Sequence, residues 1–320
     1  MPALDFSFDK LLTYKGISPL PKDFDSYWDK ALAELEMAGT AYTLEPAEFS
    51  AEGVECSYLY FNGVGGARVC GKFIKPAIIK DKIPAIAMFH GYSGHSGGWL
   101  DKLAFAYNGY TVLALDVRGQ MGKSEDRHQV NGNTLRGHII RGLSGGKPDE
   151  LFFRNVFLDT VQCARILMSM DFVNPERIGA TGASQGGALT IACAALEPRV
   201  KMCAPVYPFL SDYKRVWEMD LFKNAYEELS YYLRNHDPRH SNIEQMFNTL
   251  GYIDVANLAP RIKSDTYMFI TLMDEICPPS TQFAIYNRIN AKKSCEIYPN
   301  HGHENLPGSP ELIFNFFRGL

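Results

Sequence analysis

Four short stretches, residues 83–89, 110–116, 200–206 and 266–273, are apolar almost throughout and lack the polar alternation of a strand with one face in water. Strands of that kind are covered on both faces, as in a parallel sheet between two layers of helices. The segments between them carry apolar residues at helical spacing, most plainly 156–168 and 188–196. Strand and helix alternate, so the chain reads as α/β, doubly wound around a mostly parallel sheet. Ahead of this pattern, two β-rich runs at 56–61 and 67–76 flank the glycine-rich turn Asn62-Gly63-Val64-Gly65-Gly66 and read as an N-terminal antiparallel hairpin. Residues 21–36 precede the hairpin with apolar positions at helical spacing and acidic residues near their start, which suits a helix dipole.

One segment breaks the rhythm. Residues 211–257 lie between two core strands, are rich in Tyr, Phe, Leu and charge, and carry no strand signal. A helical insertion is expected there, on a single domain spanning 1–320, a length sufficient for one large buried sheet. The net charge of −4 supplies no basic face for nucleic acid or anionic lipid. No run approaches the roughly 18 apolar residues of a membrane span, and the stretch from Met1 to Asp9 lacks the basic-then-apolar layout of a signal peptide. A cytoplasmic location is therefore expected. Seven cysteines, an odd count set mostly in apolar runs without a C-x-x-C pair, read as reduced, buried thiols.

The sharpest local signal is Gly182-Ala183-Ser184-Gln185-Gly186, a G-x-S-x-G sequence with a short strand signal before it (178–181) and a helix-forming run after it. A serine carried on a tight strand-to-helix turn needs glycines beside it, because side chains there would collide with the turn. A plain glycine-rich turn explains Gly182 and Gly186 but not the serine between them, so Ser184 is the candidate nucleophile of an α/β-hydrolase fold. Such a serine requires a base and a carboxylate to orient the base, in the chain order Ser, acid, His. Asp274 begins the loop directly after the strand-like run 266–273 and is the candidate acid. Of the histidines downstream, His236 and His240 fall in the insertion among charged residues. His301 and His303 both lie in the loop after the strand-like 295–298. Bare spacing separates those two only modestly; the position of His303, just before the last helix, favours it. Oxyanion donors are expected from the backbone N–H of Gln185 and from that of Tyr92, in the His90-Gly91-Tyr92 loop that ends an early core strand. His90 reads as a brace for that loop. No metal site is expected, since neither His301 with His303 and Glu304 nor His90 with His95 has zincin spacing on a helix.

With these residues assembled, the chain resembles the cephalosporin-C deacetylase and acetyl xylan esterase group, the family-seven carbohydrate esterases. The match is carried by the opening segment 12–29, by Arg118-Gly119-Gln120, by Gly182-Ala183-Ser184-Gln185-Gly186 and by His303-Glu304. The resemblance implies deacetylation of small acetylated sugars and of the cephalosporin acetoxy group without a metal or organic cofactor. It implies Ser184, Asp274 and His303 as the triad, Tyr92 and Gln185 as oxyanion donors, and Arg118, Gln120 and Glu304 as structural supports. It also implies a homo-oligomer, a hexamer whose sites face an internal space. Where the family often has a further glycine after R-G-Q, this chain has Met121 and then Gly122. The alternatives are a dienelactone-type hydrolase or a peptidase on the same fold, and a catalytically silent binding protein. The roughly 180 residues before the elbow leave little room for a peptidase's propeller.

Overall fold

The computed structural model describes residues 4–130 and 138–320; Met1, Pro2 and Ala3 of the N-terminal stretch read above lie outside them. Among the described residues nine strands pair into one sheet: β1 (Tyr42–Pro46), β2 (Val54–Asn62), β3 (Arg68–Pro76), β4 (Ile83–Phe89), β5 (Thr111–Leu115), β6 (Val173–Ala183), β7 (Met202–Val206), β8 (Asp265–Thr271) and β9 (Lys293–Tyr298). The spatial order is β1-β2-β3-β5-β4-β6-β7-β8-β9. Strands β1 and β3 each pair antiparallel with β2, and β3 meets β5 antiparallel as well. Every other pair, from β5 and β4 out to β9, is parallel. This is the α/β-hydrolase arrangement, with the expected hairpin in β2 and β3. Their turn passes through Gly65 and Gly66 at φ of 78° and 77°, a conformation open to glycine at no steric cost.

The helices are α1 (Phe8–Leu11), α2 (Phe24–Ala38), α3 (Leu100–Tyr107), α4 (Phe152–Ser169), α5 (Gln185–Leu196), α6 (Tyr213–Glu218), α7 (Glu227–Asn235), α8 (Ile243–Leu250), α9 (Val255–Leu258), α10 (Pro279–Arg288) and α11 (Ser309–Phe317). All twelve residues of α5 are buried, because it packs on α4, on β6 and β7, and on α9. A helix enclosed on every side needs no polar face, which is why 188–196 is apolar without amphipathic contrast. Helix α2 docks through Trp28, which is fully buried, stacks on Phe157 and donates its indole N–H to the Tyr252 carbonyl at 3.0 Å. Burying such a ring contributes on the order of 2–3 kcal/mol, and the hydrogen bond satisfies its one polar atom.

Between β7 and β8 the chain is helical, through α6 to α9 and short 3-10 turns. The base of this segment grips the N-terminal stretch. Asp212 accepts hydrogen bonds from the Tyr14 hydroxyl (2.7 Å) and from the Ile17 and Ser18 amides (3.0 and 2.8 Å). Its own amide donates to Asp254 at 2.8 Å. All seven cysteines are free, five of them buried. No helix among the described residues is long and apolar enough to cross a membrane.

Candidate active site

Ser184 stands between β6 and α5, at φ 57° and ψ −117°. That conformation is costly for a residue with a side chain, on the order of 1–3 kcal/mol, and persists only where the surroundings fix it. Here they do. The Ser184 amide donates to the Val206 carbonyl, and its carbonyl accepts from the amides of Ala188 and Phe209, all at 3.0 Å. The flanking glycines are required by close approach. A Cβ on Gly182 would lie 2.4 Å from the Phe89 carbonyl oxygen, and one on Gly186 only 2.1 Å from it. Gly186→Ala is accordingly expected to lower stability by roughly 1–3 kcal/mol, read as a fall in the urea midpoint, and to lower ester turnover with it because the turn has to shift.

The carboxyl ends of β6, β8 and β9 bring Ser184, Asp274 and His303 together. His303 Nε2 lies 2.9 Å from Ser184 Oγ, and His303 Nδ1 lies 2.8 Å from Asp274 Oδ2. Asp274 is fully buried and is held from three further directions. Its Oδ1 accepts from the amides of Ile276 and Cys277, both at 2.8 Å, and its Oδ2 from the Thr271 hydroxyl at 3.3 Å. A buried carboxylate so supplied with donors stays in place to receive the imidazole N–H. The Tyr207 ring packs on His303 with centroids 4.8 Å apart. Glu304 accepts the Gly302 amide at 3.1 Å, tightening the loop that carries His303.

The other histidines sit elsewhere. The His301 ring packs edge-on against Tyr298, and its Nδ1 has no hydrogen-bond partner among the described residues. His236 and His240 are exposed on the insertion, and His95 is exposed on its loop. His90 ties two loops, since its Nε2 accepts the Val117 amide at 2.9 Å and its Nδ1 meets the Gly91 carbonyl at 2.8 Å. Burial pushes its imidazole below the usual histidine range, consistent with a neutral ring that donates from one nitrogen and accepts at the other.

The two narrowest motifs meet each other. Gln120 Nε2 donates to Gln185 Oε1 at 2.7 Å, and Gln185 Nε2 donates to Gln120 Oε1 at 3.0 Å. This reciprocal amide pair fixes the side chain that follows Ser184. Arg118 forms a fully buried fork with Asp159 of α4, while Met121 is exposed. Two neighbours were not singled out in the sequence. Cys277 lies beside Ser184, and burial pushes its thiol far above the usual range. Glu228 of the insertion binds the Tyr92 hydroxyl. The sequence signal for Cys277 was its place three residues after Asp274; for Glu228 there was none. Asp274, Cys277 and His303 lie close enough to share a cation, but both imidazole nitrogens are already engaged, so a cation would displace one of those bonds.

A strained serine turn at the carboxyl end of a parallel strand, with His and Asp on the ends of two strands beyond it, defines an α/β-hydrolase. The family model for acetyl xylan esterase (AXE1) matches residues 1–320. The chain belongs to the acetyl xylan esterase family, a family of carboxylic ester hydrolases. The solved acetyl xylan esterase 1 of a Thermoanaerobacterium species is 51% identical, with 98% of each chain covered and a TM-score of 0.96. That of a Paenibacillus species is 32% identical, covering 98% of this chain and 99% of that one, with a TM-score of 0.93. The acetyl esterase Axe7A of Xylanibacter ruminicola is 25% identical over 297 residues, which are 88% of this chain but 63% of that longer protein.

Proposed function

We propose that the protein is a serine esterase that removes acetyl groups from small acetylated substrates, with acetylated xylo-oligosaccharides and cephalosporin C as its substrate class. The observation that carries this reading is the pair of hydrogen bonds running from Asp274 through His303 to Ser184, in a chain of this family. Ser184 Oγ attacks the acetyl carbonyl and passes its proton to His303 Nε2, while Asp274 accepts from Nδ1–H and stabilises the imidazolium. The backbone N–H groups of Gln185 and Tyr92 receive the oxyanion, a donor of this kind being worth about 3–4 kcal/mol. Collapse expels the sugar alkoxide, which takes the proton from His303 and leaves Ser184 acetylated. Water, deprotonated by His303, then releases acetate by the same steps.

Steric limits follow from the rings beside the elbow. Tyr92 packs on Phe209, and Phe209 on Tyr226, with centroids 5.8 and 4.4 Å apart; the Phe209 amide itself binds the Ser184 carbonyl. Phe209 and Tyr226 are fully buried and back the half-buried Tyr92 ring, which is the wall that favours acetyl over longer acyl groups. The same reading makes the protein a homo-oligomer, hexameric by resemblance, with sites that admit small substrates.

Acetate release from acetylated xylo-oligosaccharides and from cephalosporin C, by wild type and by Ser184→Ala, tests the proposal. Release by the wild type and its loss in the variant are expected, and nitrophenyl butyrate is expected to turn over roughly tenfold or more slowly than the acetate ester. Protein that labels with a fluorophosphonate yet frees no acetate would remain a hydrolase but not a sugar deacetylase. Protein that neither labels nor turns over would be a silent member of the fold.

A further inference from the structure

The insertion reaches the oxyanion loop through one carboxylate. Glu228 stands in the first turn of α7 and is 7% exposed. One of its oxygens accepts the Tyr92 hydroxyl. The other accepts the amides of Ile139 at 2.7 Å and Ile140 at 3.4 Å. Burial pushes the Tyr92 phenol well above its ordinary range, so the phenol is the donor in this pair. Burial also pushes the Glu228 carboxyl up to about 7. A buried carboxyl costs free energy that an apolar side chain of similar size avoids, so packing alone does not account for it.

Tyr92 is held at both ends. Its main chain belongs to a tight turn in which the Gly94 amide donates to the Gly91 carbonyl at 3.1 Å and Ser93 adopts φ 55°. Its ring lies against Phe209 and His138, 5.8 and 5.7 Å between centroids. A tyrosine side chain has two rotatable bonds, so fixing the hydroxyl and the ring also restricts the backbone that carries them. We propose that Glu228 is a positioning residue for ester hydrolysis: by anchoring the Tyr92 hydroxyl it fixes the Tyr92 N–H for the oxyanion and the Tyr92 ring as a wall of the acetyl site. The inference rests on the esterase reading given above. Glu228 makes no contact with Ser184 or His303 among its hydrogen bonds; it acts through Tyr92.

Glu228→Gln, Tyr92→Phe and the double variant, assayed on nitrophenyl acetate and butyrate with thermal midpoints recorded alongside, test the proposal. Each single variant is expected to lose roughly tenfold in kcat with KM for the acetate ester little changed, because the interaction serves the transition state rather than the bound ester. The double variant is expected to fall no further than about twofold below the weaker single one, since both changes disturb the one contact between Tyr92 and residue 228, the amide bringing an NH2 donor where the carboxylate only accepts. The preference for acetate over butyrate is expected to narrow in all three. Loss of packing alone would lower the thermal midpoint without this split between kcat and KM. Wild-type kcat in folded Glu228→Gln, or multiplicative losses in the double variant, overturns the proposal. If Glu228→Gln does not fold, Tyr92→Phe decides alone, and wild-type kcat in it overturns the proposal. Wild-type protein that frees no acetate would instead be a failure of the esterase reading, and the inference would go with it.

Discussion

Ser184→Ala is expected to lower kcat for nitrophenyl acetate by about 10⁴- to 10⁶-fold, with KM nearly unchanged. Alanine keeps the backbone of the turn, whose strain at φ 57° is imposed by the bonds to Val206, Ala188 and Phe209 and not by the hydroxyl. The unfolding midpoint should therefore move little, and the loss is one of chemistry. His303→Ala is expected to fall to a similar level, because a serine without its base is an ordinary alcohol. The Ser184 and His303 variants combined should be no worse than either alone, since the two side chains act as one unit. The rate that survives measures what the oxyanion donors and binding contribute by themselves. A spectrophotometric progress curve, with active sites counted by fluorophosphonate in the wild type, reads all of these. A Ser184→Ala protein that retained even a hundredth of the wild-type kcat would remove Ser184 as the nucleophile.

The parts of this molecule that were legible in the sequence are those where burial leaves no alternative. Residues 83–89 and 110–116 are apolar almost throughout because β4 and β5 are covered on both faces, as strands of a parallel sheet between helices are. Gly182 and Gly186 were legible because the Phe89 carbonyl leaves no room for a Cβ at either position. By contrast, β1 (Tyr42–Pro46) is exposed at every residue and owes its conformation to pairing with β2 at the sheet edge, so its sequence carries no period. His301 and His303 differ by two residues, and spacing alone separated them only modestly. Their distinct surroundings arise from the fold, since the His301 carbonyl accepts the Met273 amide while the His303 ring lies between Ser184 and Asp274. Glu227 and Glu228 open α7 as a pair of acids complementing a helix dipole would. The tertiary contacts of Glu228, with Tyr92 136 residues away and with the Ile139 and Ile140 amides, distinguish the second from a solvated residue. The same holds for Gln120 and Gln185: each motif was visible, and the bond between them was not.

Arg118→Ala and Asp159→Ala are each expected to destabilise the fold by about 3–5 kcal/mol, because either change leaves the opposite charge buried without its partner. Both side chains are 1% exposed. The guanidinium meets the carboxylate at two points, Nε to Oδ2 at 2.6 Å and Nη2 to Oδ1 at 2.5 Å, and Nη1 donates to the Val64 carbonyl at 3.0 Å. The fork therefore joins three parts of the chain: the loop after β5, helix α4 and the turn between β2 and β3. A Cβ on Gly63 would sit 2.4 Å from Nη2 and 2.5 Å from Asp159 Oδ1, so the turn is shaped to the pair. Guanidinium denaturation of the single variants reads the loss. Replacing both charges, as Arg118→Met with Asp159→Leu, is expected to recover most of it, since the desolvation of two ions is then avoided. Recovery of stability need not bring recovery of rate. Gln120 lies two residues beyond Arg118 and holds Gln185, so the double variant is expected to fold well and still turn over acetate esters more slowly than the wild type. A double variant as fast as the wild type would show that Gln120 keeps its place without the fork.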